Sequence, residues 1–145
     1  MNMDHQQLSG LEFIQGIING KIPNPPISKT IPMKMVKADE GSVEFEVQAN
    51  EQHLNPMGGV HGGFAATVLD SVTGCAVHTT LAANVSYATV DLNVKMVKPV
   101  PLNTKLIAVG KVISKSKTLC TSEGFIKDIN GKIFAHGTAT CIIKS

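Results

Sequence analysis

The sequence predicts an α+β domain in which one antiparallel sheet wraps a single long helix, and three observations carry that prediction. An apolar segment opens at Gly62 and runs to about Leu81, too long for a strand and apolar nearly all round, as in a helix enclosed by the rest of the fold. Runs with period-two alternation lie on both sides of it. The cleanest sets Ala88, Val90, Leu92, Val94 and Met96 against Thr89, Asp91, Asn93 and Lys95. Consecutive runs are joined by short turns, such as Asp128-Ile129-Asn130-Gly131, and short turns make antiparallel neighbours.

Each element follows in order. Leu8, Leu11, Ile14, Ile17 and Ile18 recur at three- and four-residue steps, predicting a short amphipathic helix over residues 5–19 that Gly20 ends. Four prolines in residues 21–32 (Pro23, Pro25, Pro26 and Pro32) predict an ordered loop or lid, neither helix nor central strand. Strand signals begin at Met33, and Asp39-Glu40-Gly41 turns the chain into a second strand, where Val43, Phe45 and Val47 alternate with Glu44, Glu46 and Gln48. After the long helix and the 88–96 run, Pro99 and Pro101 stop the strand. Residues 104–114, 117–128 and 132–143 are read as three more strands. The 145 residues form one domain on this reading: 1–32 the helix and proline-rich loop, 33–143 the sheet and central helix.

Composition narrows the function. A net charge of +2, one Tyr and no Trp argue against a nucleic-acid surface. The longest apolar run holds Asp70, Ser71, His78 and several threonines, which reads as a buried helix and not a membrane span. Cys75, Cys120 and Cys141 form no CxxC pair, and the first ten residues are polar. The expectation is a cytoplasmic protein with reduced thiols and no leader.

The chemistry concentrates in Asn55-Pro-Met-Gly-Gly-Val-His61-Gly62-Gly63 and in Asp70. A glycine-rich loop that opens a helix presents backbone N–H groups to a ligand, here at Gly62 and Gly63. A lone acid in an apolar helix is costly without a role, and partial burial would sharpen the basicity of Asp70. Thioester hydrolysis uses such a set. The Gly62 N–H would stabilise the carbonyl oxygen, and Asp70 would attack directly or activate a water. Asn55 would hold the water or the thioester, while His61 would cap the helix or brace the loop. Gly62 and Asp70 are eight residues apart, roughly 12 Å along a helix axis. One chain therefore cannot bring both to one carbonyl, and the site requires a two-fold dimer in which each helix start faces the partner's Asp70. Cys75 and His78 share a helix face but lack a second ligand pair or an orienting third group, so no metal site is expected. His53 and His136 are expected to be surface or strand histidines. Lys115-Ser116-Lys117 reads as a solvated turn whose ammonium groups could hold a phosphate.

These residues resemble the PaaI-like acyl-CoA thioesterases of the hotdog fold. The match is Asn55, Gly58, His61, Gly62, Gly63 and Asp70, with Ala88-Thr-Val-Asp-Leu92, Lys98-Pro99 and Ala135-His-Gly-Thr-Ala-Thr140. The resemblance covers about residues 35–143. It implies a curved antiparallel sheet around one long helix, a homodimer with a continuous sheet, and a further association to a homotetramer. It implies acyl-CoA or aryl-CoA as substrate, with coenzyme A part of that substrate and no separate cofactor. Asp70 would be nucleophile or general base, the Gly62 amide would polarise the carbonyl, Asn55 would orient water or substrate, Thr89 would assist and His61 would support the loop. Family members often carry a Gly-Arg-Arg-like stretch where this chain has Lys115-Ser116-Lys117. Two other functions fit less well: a hotdog hydratase or dehydratase using His61, and a non-catalytic acyl-CoA-binding protein.

Overall fold

The computed structural model describes residues 7–145. Three helices, α1 (Gly10–Ile18), α2 (Ile27–Thr30) and α3 (Gly62–His78), accompany six strands. The strands are β1 (Met33–Asp39), β2 (Ser42–Val47), β3 (Ser86–Met96), β4 (Leu106–Lys115), β5 (Leu119–Lys127) and β6 (Ile133–Lys144). All pairings are antiparallel, in the order β1-β2-β4-β5-β6-β3. This is the hotdog arrangement. Strand β3 follows α3 in the chain yet pairs with β6, so it forms one edge of the sheet, and β1 forms the other.

Local chemistry sets the boundaries. Ser9 caps α1 in a reciprocal box: its hydroxyl accepts from the Glu12 N–H at 3.2 Å and its own N–H donates to Glu12 Oε1 at 2.9 Å. The helix therefore starts at Gly10, later than residue 5. Residues 5 and 6 of that expectation lie outside the described residues, and 7–9 precede the helix. The proline-rich segment also differs from expectation, because Ile27–Thr30 closes one helical turn behind Pro26. A proline at a helix start removes an N–H that the first turn leaves unpaired anyway. The central helix ends at His78 rather than Leu81. There the hydroxyls of Thr79 and Thr80 donate back to the carbonyls of Ala76 (2.6 Å) and Val77 (2.7 Å), and Thr79 Oγ1 accepts from the N–H of Gly41 (2.8 Å).

Packing centres on α3. Phe64, Val68, Leu69, Val72 and Val77 are buried against the sheet, together with Phe45, Leu106 and Ile126. The helix approaches the strands closely because Gly110, Gly124 and Gly137 lie side by side, each the register partner of the next. A Cβ at Gly110 would run into the Val72 carbonyl. At Gly124 it would stand 3.0 Å from Val72 Cγ2, and at Gly137 3.2 Å from Leu69 Cδ1. Strand β1 is covered by α1, whose Ile14 and Ile17 are buried and whose Gln15 Nε2 donates to the Ala38 carbonyl at 3.4 Å. Strand β3 has no such cover among the described residues. Among those residues no helix is long and apolar enough to cross a membrane.

Overpacking a core typically costs about 1–3 kcal/mol. A side chain at Gly110 meets a carbonyl that the helix cannot release, so Gly110→Ala is expected to destabilise the fold by about 3 kcal/mol, the top of that range. Gly124→Ala, whose nearest contacts would be Val72 Cγ2 at 3.0 Å, the Val109 carbonyl at 3.2 Å and Leu69 Cδ2 at 3.3 Å, should lose less. Urea denaturation of both variants checks the order.

Candidate active site

His61 is the N-cap of α3, and its Nδ1 accepts from the Gly63 N–H at 2.7 Å. The His61 carbonyl takes the Phe64 N–H at 3.0 Å. Gly63 is thus occupied by its own cap, contrary to the expectation that its N–H faces a ligand. Among the described residues no acceptor engages the Gly62 N–H. The side chain of Met96, at the end of β3, lies over Gly62, where a Cβ would meet its Cε at 2.9 Å.

The loop before the helix is built by Asn55. Its Oδ1 accepts from the N–H groups of Met57 (2.9 Å) and Gly59 (3.1 Å), and its backbone pairs with Gly58 and Gly59. Gly58 takes a φ of +90°, which favours glycine. With Oδ1 committed to the loop, the Nδ2 amide is the group that Asn55 can offer a ligand. Asn55, Gly62, Met96 and Lys98 line one cavity of about 600 Å³.

Asp70 and Thr89 line a different cavity, of about 610 Å³. Asp70 is exposed in the single chain, not buried as its apolar surroundings in the sequence imply. The reason is that the buried face of α3 is spent on the sheet, leaving Asp70 on the opposite stripe. Thr89 is half-buried with Oγ1 3.7 Å from Cys141 Sγ, next to a bulge that interrupts the β3–β6 register before Asp91. One chain therefore keeps Gly62 and Asn55 apart from Asp70 and Thr89.

Most of the remaining candidates have structural partners. Lys115 ends β4 and its Nζ donates to the Thr80 carbonyl at 2.8 Å, beyond the C-terminal end of α3. Lys117 is exposed in the following hairpin. His53 is neither at the surface nor on a strand. It is buried in a 3₁₀ turn (Glu51–His53), where Nδ1 accepts from the Asn50 N–H at 2.9 Å and Nε2 lies 2.8 Å from the Thr30 carbonyl. His136 is on β6, its ring 4.6 Å from that of Phe125. Burial, with the charge of Asp70 second, pushes the Cys75 thiol up to about 12, so it stays neutral and is a poor nucleophile.

Sequence reasoning read residues 21–32 as a loop or lid but missed that α1, Phe45, His78 and Tyr87 also wall the second cavity. Phe13, Ile14 and Ile17 of α1, Pro23, Pro25 and Ile27 of the loop, and Met33, Met35 and Phe45 of the sheet all face it, as do His78 and Tyr87. The amphipathic pattern of α1 was the available signal, but periodicity does not reveal which apolar residues stop short of close packing.

The fold and this pair of clefts define a class, the hotdog thioesterases. The family model described as the thioesterase superfamily matches residues 57–135. Human acyl-coenzyme A thioesterase 13 is 31% identical over 107 residues, spanning 73% of this chain and 76% of that protein. A structure from Ralstonia eutropha JMP134, described as a phenylacetic acid degradation-related protein, has a TM-score of 0.81 at 29% identity and covers 89% of this chain and 98% of its own. A thioesterase family protein from Silicibacter pomeroyi shares the fold, with a TM-score of 0.78 at 20% identity, covering 90% of this chain and 97% of that one. The chain belongs to the thioesterase superfamily, and it is a thioester hydrolase.

Burial lowers the pKa of His78 from its ordinary 6.5. The unfolded chain then takes up a proton near pH 6.5 that the folded chain refuses, so this contribution to stability is full above 6.5 and is lost as pH falls toward the lower folded value. The urea midpoint should drop on acidification through that window, and His78→Phe should flatten the drop.

Proposed function

We propose that the protein hydrolyses acyl-CoA thioesters in sites shared between two protomers. The observation that carries this reading is the bare edge of β3, eleven residues long, with Val90 55% and Met96 52% exposed. A long, regular, partly apolar edge strand pairs with another unless it is covered. The contacts of α3 define what such pairing would do. Gly62 lies by Met96 at one end of β3, and Gly74 by Tyr87 at the other. Antiparallel pairing of β3 with its copy, in a register near the strand midpoint, sets Met96 and Gly62 beside the partner's Thr89 end, where the partner's Asp70 lies. The eight-residue separation that defeats a single chain then becomes the spacing between two complementary half-sites.

In that pair the thioester oxygen takes the Gly62 N–H, and negative charge developing there gains from the helix N-terminus. Asp70 of the partner draws a proton from water, whose oxygen attacks the carbonyl carbon, or attacks that carbon itself to give an anhydride that water then opens. The new C–O bond replaces the C–S bond, and the departing CoA sulfur ends as a thiol with a proton that came from water. The Asn55 amide and the Thr89 hydroxyl orient the reacting groups. His61 holds the loop through its cap. The acyl group enters the cavity beside Asp70, and the thiol arm follows the Asn55–Lys98 cavity. Lys115 and Lys117, near the C-terminal end of α3, face the partner's loop in this arrangement and suit the phosphates of CoA. The compartment is cytoplasmic on this reading, consistent with three free thiols. A hydratase using His61 as its base is disfavoured by the commitment of His61 Nδ1 to the Gly63 N–H.

Thiol release from acyl-CoAs should fall about a thousandfold in Asp70→Asn and about a hundredfold or more in Gly62→Pro. The second variant is compatible with the fold, since His61 is extended (ψ 137°) and proline suits the first helical position. Refolding the two variants together should restore activity, because a mixed dimer contains one site with both groups intact. Wild-type turnover by Asp70→Asn, or two variants that never complement, would defeat the shared-site reading.

A further inference from the structure

The cavity beside Asp70 does not end as it begins. Its long walls are mostly apolar, formed by Phe13, Ile14, Ile17, Ile27, Met33 and Phe45, with Asn24, Ser28 and Ser71 as polar exceptions. Beyond Asp70 on the same helix it meets Cys75 and then His78, the latter roughly 12 Å along the axis, with Tyr87 of β3 beside them. The His78 ring is clasped between Phe13 and Tyr87, with centroids 5.4 Å and 5.5 Å away. Among the described residues, no hydrogen bond reaches either nitrogen of that ring or the Tyr87 hydroxyl, and neither side chain leaves a fully buried polar atom unsatisfied. Both side chains line the cavity; His78 also borders a smaller one with Ala82 and Ser86, and the Tyr87 hydroxyl lies beside Gly74.

All three groups are uncharged near neutral pH. Burial favours neutral imidazole at His78, and it holds the Tyr87 phenol and the Cys75 thiol in their protonated forms. The cavity lining includes neither Lys nor Arg, and its one carboxylate is Asp70. An acyl tail ending in a carboxylate would find no counter-charge there. An unsubstituted alkyl tail would strip water from the imidazole and the phenol and return nothing. A hydroxyl both donates and accepts, and so matches a neutral imidazole beside a phenol.

We propose that His78 and Tyr87 are specificity-determining residues that recognise an uncharged hydroxyl at the far end of a long acyl group, making ω-hydroxyacyl thioesters preferred substrates. This rests on the acyl-CoA reading for its chemistry. Once an acyl chain fills the cavity and displaces its water, polar groups with no partner in the protein discriminate against the analogue that lacks one. One neutral hydrogen bond contributes about 1 kcal/mol, which corresponds to a preference of roughly five- to tenfold.

The test compares ω-hydroxydecanoyl-CoA with decanoyl-CoA. The wild type should show a kcat/KM ratio of about five to ten in favour of the hydroxylated thioester, and Tyr87→Phe and His78→Phe should each move that ratio toward one. Tyr87→Phe keeps the ring and removes only the hydroxyl, so its thermal melting separates recognition from folding. Equal kcat/KM for the two substrates in the wild type, or a preference that survives both substitutions, overturns the inference and leaves the hydrolase reading standing. If neither thioester is cleaved, the acyl-CoA reading fails. The ratio of the two dissociation constants, by calorimetry on the same three proteins, then decides the recognition of the hydroxyl by itself.

Discussion

Three glycines, aligned across β4, β5 and β6, let the backbone of α3 settle nearly onto the strands. With Cβ atoms in that row the helix would stand off the sheet, and the close packing of Val72 and Leu69 would open. The height of the helix fixes more than stability. It fixes which stripe of α3 faces away from the sheet, and that stripe carries Asp70, Ser71, Cys75 and His78. It also fixes where the helix start meets Met96 and where the helix middle meets Tyr87. The geometry of both clefts descends from one backbone contact.

Much of this was legible in the sequence because the relevant signals are local. The alternation in residues 43–47 and 88–96 is a direct consequence of a pleated strand with one buried face, and both runs are strands. His61 announces a helix cap, and the structure uses it so, while the commitment of Asn55 Oδ1 to its own loop was not legible. The Ser9–Glu12 box was equally local, yet the apolar steps that begin at Leu8 masked it and drew the helix start too early. What could not be read was the distribution of burial between elements. His53 is buried because α2 and the 3₁₀ turn close on it, a contact across twenty-three residues. Asp70 is exposed because α3 has only one buried side. Residue type does not reveal which side that is, and an apolar neighbour in sequence lies about 100° around the helix.

The apparent contradiction of a carboxylate on a helix in an apolar core resolves into a division of labour around its circumference. The face toward the sheet holds the fold. The opposite stripe is built from residues that a core would not select, and its openings are roofed by α1 and the proline-rich segment. Those two elements contribute little to the sheet itself, but they supply the wall that turns an exposed helix stripe into an enclosed cavity. Their prolines restrict the unfolded chain and so hold the roof at modest entropic cost.

The same division bears on catalysis. A carboxylate in open water is a weak base, and a helix N-terminus in open water is screened by solvent. On the shared-site proposal neither half-site would be catalytic alone, because in a single chain each would stay open to water. Pairing along β3 would bring the two together and exclude water from both in one step, so the electrostatic gain would appear only where substrate sits. Dimerisation and activity are then linked by mass action. A protein built this way leaves a long strand edge bare in the protomer because covering it within the chain would also separate the two halves of the site.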